Sequence, residues 1–184
     1  MRQVRVYSAD PLAAHSEQEL GRAASAHVLR VLRLRAGDAL TLFDGRGGEY
    51  PARLVRTGRA AAVVEVGAHL PLERESPLAI TLLQSLARGE KMDFIVQKGT
   101  ELGVTRIVPV AVGRSVMRVP QGREGRKLEH WRAVAASACE QCGRNRLPQI
   151  DAPVDLPSAL ALATSSEMRV LLSPEAPDTL SSVV

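Results

Sequence analysis

Apolar and polar residues alternate in short runs over the first 70 residues, a pattern that predicts β-strands. RVYS is one such run, and GDALTLFDGRGGEYPARLV contains two more on either side of a glycine-rich turn at residues 44–47. AAAVVEV follows as a further strand. Short strands at this spacing are typical of a small closed sheet, so we predict a β-barrel domain over residues 1–70.

One helix interrupts these strands. Ser16 and Glu19 have the spacing of a capping box, in which two side chains bond the free backbone amides at the start of a helix. They precede LGRAASAHVLRVLRL, where apolar residues recur at helical spacing. The predicted apolar stripe consists of Leu20, Ala24, Val28, Val31 and Leu32.

The pattern changes at Leu78, beyond a charged, proline-containing linker at residues 71–77. Apolar strands now alternate with helices, which favours a parallel α/β sheet covered on both faces over residues 78–184. The predicted elements are the strand LAITLL, the helix GEKMDFIVQKGTELG, the strand TRIVPV, a long helix from Glu124 to Gly143, the short helix DLPSALALA and the buried strand EMRVLLS.

Both of the longer helices in this domain have a predicted apolar stripe and a glycine placed to end them. Gly103 ends the first and Gly143 the second. The first stripe consists of Met92, Ile95, Val96, Gly99 and Leu102, and the second of Leu128, Trp131, Ala135, Ala138 and Cys142.

Composition restricts the class of protein more than its function. The hydrophobic content of 45% is ample for a core, and no apolar run approaches the roughly 20 residues of a membrane span. The N-terminus lacks the apolar centre of a signal peptide, so we expect a cytoplasmic protein. The 24 basic and 20 acidic residues give a net charge of +4, which suits a polyanionic partner only weakly because the charges are mixed.

The chain's two cysteines, Cys139 and Cys142, lie three residues apart near the end of the long helix. They offer two ligands where a structural zinc site needs four, so we expect no metal. They also lie far from the helix N-terminus, where a dipole would lower a thiol pKa. We therefore predict that they pack in the helix, and a thiol redox or metal protein is the alternative.

The second domain contains no dinucleotide fingerprint, phosphate loop or hydrolase elbow. Any functional residues must therefore be sought on the polar faces of its helices and loops. Lys91 and Lys98 lie seven residues apart on one face of the first helix, where they could form a functional surface. An ordinary solvated face with a Lys98–Glu101 pair is the alternative explanation. Arg114 and Arg118 begin a basic stretch in the loop after a strand, where open α/β sheets bind ligands. Phosphate contact and a solvated loop explain that stretch equally well.

Two further clusters are candidates. His27, Arg30 and Arg33 lie in the predicted helix of the barrel, where they could face RNA or simply solvent. Glu140, Gln141 and Arg144 surround the end of the long helix, and Gly143 is placed to direct Arg144 outward.

Taken together, these stretches resemble the RsmE family of 16S ribosomal RNA uracil-N3 methyltransferases. The resemblance covers nearly the whole chain. The motifs that carry it are HVLRVLRLRAGD and LFDGRGGEYPARL in the first domain, and RGEKMDFIVQKGTELGVTRIVPV, RSV and KLEHWRAVAASACEQCGR in the second.

The resemblance implies a PUA-like RNA-binding barrel followed by a SPOUT-type methyltransferase domain, the α/β knot fold. It further implies S-adenosylmethionine as cofactor, 16S ribosomal RNA in the small subunit as substrate, and a homodimer. Glu140 and Arg144 become the candidate catalytic residues. The implied RNA-binding residues are His27, Arg30, Arg33, Lys91, Lys98, Arg114, Arg118, Gln141 and Arg144.

The chain departs from the family pattern in two places. The family's glycine-rich cofactor loop, similar to GPEGG, and the later segment that completes the knot would lie beyond Val184. We therefore expect a domain truncated before the knot, and the alternative function is an RNA-binding module without catalysis. Cys142 stands where the family has serine in Glu-Gln-Ser-Gly-Arg, a change that conserves size and does not imply redox chemistry.

Overall fold

The computed structural model describes residues 4–59, 61–112, 124–173, 175–177 and 179, with Glu124 described by its backbone alone. Its strands form two separate sheets, one before the linker and one after it. The elements are β1 (Arg5–Tyr7), β2 (Ser16–Glu19), α1 (Arg22–Ala26), a π-helical turn (His27–Val31), β3 (Ala39–Phe43), β4 (Tyr50–Thr57), β5 (Ala62–Val66), β6 (Thr81–Ser85), α2 (Glu90–Glu101), β7 (Arg106–Ala111), α3 (Glu124–Cys142), β8 (Gln149–Ile150), β9 (Val154–Asp155) and α4 (Leu156–Leu162).

The first sheet has five strands in the order β1-β3-β4-β5-β2. The predicted hairpin is confirmed, since β3 and β4 pair antiparallel with Leu42 opposite Tyr50. β4 and β5 continue the antiparallel pairing, and β1 joins β3 in parallel. Alternate residues of these strands, Leu40, Leu42, Leu54, Val64 and Val66, are buried in one core with Leu20 and Val28 from the helical side.

The predicted capping box is wrong. Ser16 and Glu19 belong to β2, where they lie opposite Val66 and Val63 of β5. The backbone groups along that edge of β5 gain partners in the sheet only if residues 16–19 are extended, so sheet pairing decides their conformation. The helix begins later, at Arg22, without a side-chain cap.

The helix also ends in an unexpected way. After Ala26 it widens into the π-helical turn, in which the amide of Leu32 donates to the carbonyl of His27. Arg33 then adopts a left-handed backbone with φ +55°, and the amide of Leu34 donates to the carbonyl of Val28 (3.0 Å). Val31 is exposed rather than part of the apolar stripe.

The second sheet is parallel, as predicted. β7 lies between β6 on one side and the short strands β8 and β9 on the other. Ile107 packs against α2 and α3, whereas Val108 and Val110 point to the opposite face and pack against Ala159 of α4. The sheet is therefore covered by helices on both faces.

Three details of the second domain differ from prediction. EMRVLLS forms no strand and pairs with no described neighbour, so its apolar residues Val170, Leu171 and Leu172 are exposed. Leu102 is exposed because α2 has already ended there and Gly103 turns the chain with φ +94°. In α3 the buried cysteine is Cys139, while Cys142 lies on the exposed side.

The described helices include none with the length and apolar character needed to cross a bilayer.

Candidate functional site

The end of α3 brings the two domains into contact. α3 ends at Cys142, where Gly143 has φ +88° and its amide donates to the carbonyl of Cys139 (2.9 Å). The chain then runs back along the barrel through residues 144–147. We call residues 139–147 the junction segment.

Arg144 is buried in this segment, so its predicted outward orientation is wrong. Its guanidinium forks onto the Glu75 carboxylate, with Nε 2.9 Å and Nη2 2.5 Å from Oε2. Its Nη1 donates to the carbonyls of Thr100 (2.6 Å) and Val104 (3.0 Å). Thr100 belongs to the last turn of α2, where a cation is favoured, and Val104 follows just after the helix. The two carbonyls hold the Arg144 guanidinium inside the protein.

The Glu140 side chain of α3 forms hydrogen-bonding and charged contacts with the barrel. Its Oε1 accepts a hydrogen bond from the backbone amide of Tyr7 in β1 (2.9 Å). Its Oε2 lies 3.6 Å from Nε2 of His27, so these two candidates from different domains meet. Only 11% of the Glu140 side chain is exposed. The carboxylate is thus engaged in joining the domains.

Glu49 of the barrel lies at the centre of a second set of contacts. Its carboxylate accepts from Arg74 Nη1 (2.8 Å) and from Nη1 of Arg5. Arg5 also reaches the junction segment, where it donates to Oδ1 of Asn145 (2.5 Å). Hydrogen bonds from Arg74 and Arg5 outweigh the effect of burial and lower the pKa of Glu49 to about 2.

The backbone of the junction segment lies directly against the turn between β3 and β4. The amide of Gly47 donates to the carbonyl of Asn145 (3.3 Å). The backbones of Arg46 and Arg146 form an isolated antiparallel β-bridge. Gly48 has φ +68°, and a Cβ there would lie 2.7 Å from the carbonyl oxygen of Leu70. Glycine is therefore required for the turn to approach the backbone of Leu70 so closely.

Sequence reasoning missed Arg5, Glu49 and Asn145, which complete these contacts. All three are polar residues with little or no exposed side chain. The glycine-rich turn at residues 44–47 is the one available signal, because glycines permit close backbone approach. From the sequence it predicts only a hairpin.

The remaining candidates do not join this cluster. Arg30 and Arg33 are exposed on the barrel, and Lys91 and Gln141 are exposed on α2 and α3. Lys98 pairs with Glu101 (2.6 Å), the intrahelical contact expected of a solvated face. Arg114 and Arg118 lie outside the described residues.

The buried cysteine of α3, Cys139, lacks the features of a reactive thiol. Cys139 is buried and its thiol donates to the carbonyl of Arg146 (3.6 Å). Burial raises the pKa of Cys139 to about 12, whereas a reactive cysteine needs a lowered pKa. No group of three or more potential metal ligands occurs among the described side chains.

Known families match both parts of the chain. An RNA methyltransferase domain family matches residues 74–184, and an RNA methyltransferase PUA domain family matches residues 20–67.

Curated relatives agree with these matches. Ribosomal RNA small subunit methyltransferase E of Buchnera aphidicola subsp. Acyrthosiphon pisum is 30% identical over 152 residues, covering 83% of this chain and 60% of that protein. The protein of the same name from Bacillus subtilis is 30% identical over 124 residues, covering 67% of this chain and 48% of the relative. The chain thus spans about half the length of these relatives.

Solved structures are similar as well. The methyltransferase Lpg2936 of Legionella pneumophila, in complex with the cofactor SAM, has a TM-score of 0.93 and 32% identity, covering 99% of this chain and 75% of that one. Ribosomal RNA small subunit methyltransferase E of Neisseria gonorrhoeae, bound to S-adenosyl methionine, has a TM-score of 0.82 and 36% identity, covering 91% and 67%.

Replacing Arg144 with alanine should destabilise the protein strongly. The change leaves the Glu75 carboxylate buried without its partner and removes a donor from the carbonyls of Thr100 and Val104, which costs about 3–5 kcal/mol in the free energy of unfolding. Arg146→Ala is the matched control, because Arg146 is half-exposed and pairs with Glu73, a contact worth under about 1 kcal/mol. Urea unfolding measures both, and equal losses would contradict a structural role specific to Arg144.

Acid should weaken the fold through Glu49. A carboxylate with a pKa of about 2 when folded and an ordinary value of 4.5 stabilises the protein above pH 4.5, and this contribution is lost as the pH falls towards 2. The loss is on the order of 3 kcal/mol. Unfolding measured between pH 6 and 2 should have a shallower pH dependence in Glu49→Gln.

Glu17→Gln provides the control, since Glu17 is half-exposed and pairs with Arg56 at the surface. It should leave the pH dependence of stability unchanged. An unaltered profile in Glu49→Gln would overturn the assignment of this acid sensitivity to Glu49.

Proposed function

Because the chain belongs to the RNA methyltransferase domain family, we propose that the whole protein methylates N3 of a uridine in the 16S ribosomal RNA of the small subunit. The carrying observation is the presence of an RNA methyltransferase PUA domain and a methyltransferase domain in one chain, joined through buried contacts. The names of the curated relatives support the small subunit as substrate. The protein would act in the cytoplasm as a homodimer.

S-adenosylmethionine is the proposed methyl donor, as in the two solved relatives, and when bound it supplies the methyl group on a sulfonium. At the carboxyl end of β6 the Gln84 amide already donates to the carbonyl of Ser85 (2.8 Å). We assign none of the described residues to the cofactor.

The substrate sets a clear requirement for the RNA-binding residues. N3 of uridine lies on the Watson–Crick edge, so the base must be unpaired or extruded and must lose its N3 proton before it accepts a methyl group. The RNA on either side of the base then has to be held in place. We propose that Arg30 and Arg33 of the barrel and Lys91 of α2 provide such contacts, since all three are exposed.

The contacts of Glu140 and Arg144 support a different role from the catalytic one that the resemblance implies. Glu140 binds the amide of Tyr7, and Arg144 binds Glu75 and the end of α2. We propose that both are positioning residues: Glu140 joins α3 to the barrel, and Arg144 holds the junction segment against the linker and the end of α2. Substrate geometry matters because a small misplacement of reacting atoms lowers the rate steeply.

The main test is methyl transfer by the whole protein. Small ribosomal subunits lacking the modification are incubated with S-adenosylmethionine labelled in the methyl group, and the labelled nucleoside is identified by mass spectrometry. We expect N3-methyluridine in the 16S ribosomal RNA. Absence of label, or label at another atom, would overturn the proposed activity.

An RNA-binding module without catalysis is the second candidate for residues 1–184 alone. It is favoured by residues 167–173, whose apolar side chains are exposed and unpaired with any described strand. Calorimetry of this chain should then detect no binding of S-adenosylmethionine. Tight binding would exclude this candidate.

Arg33→Gly should separate RNA binding from stability. At φ +55° an arginine backbone is strained and glycine is not, so the free energy of unfolding should stay the same or rise by up to about 1 kcal/mol. RNA affinity at low salt should fall a few-fold because a phosphate contact is lost. Fluorescence anisotropy with an RNA oligomer measures the affinity.

Arg33→Asn is the matched variant, since asparagine tolerates this backbone conformation and also removes the charge. It should lose the same RNA affinity with little gain in stability. Full RNA affinity in both variants would exclude Arg33 as a contact.

A further inference from the structure

A groove of about 250 Å³ lies on the barrel between its helical segment and the turn that joins β4 to β5. One wall comes from α1 and the π-helical turn, and the other from the turn. The lining residues are Arg22, Ala26, Leu29, Arg30, Gly58 and Arg59.

The three arginines reach this groove from different parts of the chain. Arg22 is the first residue of α1, and Arg30 lies two turns later, in the π-helical turn. Arg59 comes from the opposite wall, where the amide of Gly58 donates to the carbonyl of Ala61 (2.7 Å) and tightens the β4–β5 turn. The fold therefore gathers three positive charges that the sequence keeps well apart.

These guanidinium groups are not used within the described part of the protein. None of the three makes a hydrogen bond or ion pair with a described residue, and no acidic residue lines the groove. The carboxylate of Asp10 lies against Gly21 beside Arg22, at the edge of this region. The contrast is clear with arginines that do have described partners, which include Arg5, Arg53, Arg56, Arg74, Arg106, Arg144 and Arg146.

We propose that this groove binds the phosphodiester backbone of the RNA substrate, an inference that rests on the proposed function. Guanidinium groups present planar pairs of donors that match phosphate oxygens, and unpaired ones are free to do so. Ala26 and Leu29 provide an apolar surface between the charges, suited to the carbon atoms of a ribose. Such contacts set the position of RNA on the protein without reading its sequence.

The salt dependence of RNA binding tests the groove. Each phosphate contact adds about 0.7 for single-stranded nucleic acid, or about 0.9 for a duplex, to the slope of log affinity against log salt. Arg22→Gln with Arg59→Gln should therefore reduce the slope by about 1.5. Between 50 and 200 mM salt, the loss of affinity should be roughly eightfold smaller than in the unmodified chain.

Arg53→Gln with Arg56→Gln is the matched control. Both residues are exposed on β4, the charge change is the same, and each arginine already has a partner in the barrel. The control should keep the original slope, and thermal unfolding should show that both double variants fold. Equal slopes in the two double variants would overturn the groove as a phosphate site, because net charge alone would then explain the change.

The outcome can be separated from that of the proposed activity. If the groove variants lose salt dependence while the whole protein transfers no methyl group to the small subunit, the groove stands and the methylation proposal fails. If methylation proceeds and the groove variants retain the original slope, the groove assignment fails alone.

Discussion

The buried fork between Arg144 and Glu75 is the interaction on which the position of the junction segment depends. Arg144 connects three parts of the chain: the linker through Glu75, the end of α2 through two carbonyls, and α3 through its own backbone. A charge placed this deep needs all its partners, because water cannot replace them. The positions of linker, helix and junction segment are therefore coupled.

Buried ion pairs of this kind add little net stability compared with apolar packing, because removing two charges from water is costly. Their effect here is on geometry. Arg5 and Glu49 belong to the barrel, Arg74 to the linker and Asn145 to the junction segment, and each bond has a restricted direction. Apolar surfaces could slide past one another, whereas these groups lose their partners in any other orientation of the domains.

The strands and helices were predicted well from the sequence where the apolar residues followed one clear periodicity. Alternation placed the strands of the first sheet, and continuous apolar runs placed the parallel strand β7. Prediction failed where the local spacing of residues fitted two structures. Ser16 and Glu19 have the spacing of a capping box and also fit an edge strand, and only pairing with β5 decides between the two. The surroundings of Arg144 could not be predicted, because Glu75, Thr100 and Val104 are distant along the chain.

The π-helical turn at His27–Val31 is the last turn of the barrel helix, and it sets where the side chains of its five residues point. Such a turn closes a hydrogen bond over five residues instead of four, so it is wider than an α-helical turn and holds one residue more. The turn can thus bury Val28 and keep His27 beside Glu140 while Arg30 and Val31 stay exposed. One short helix therefore contributes both to the contact between the domains and to the outer surface of the barrel.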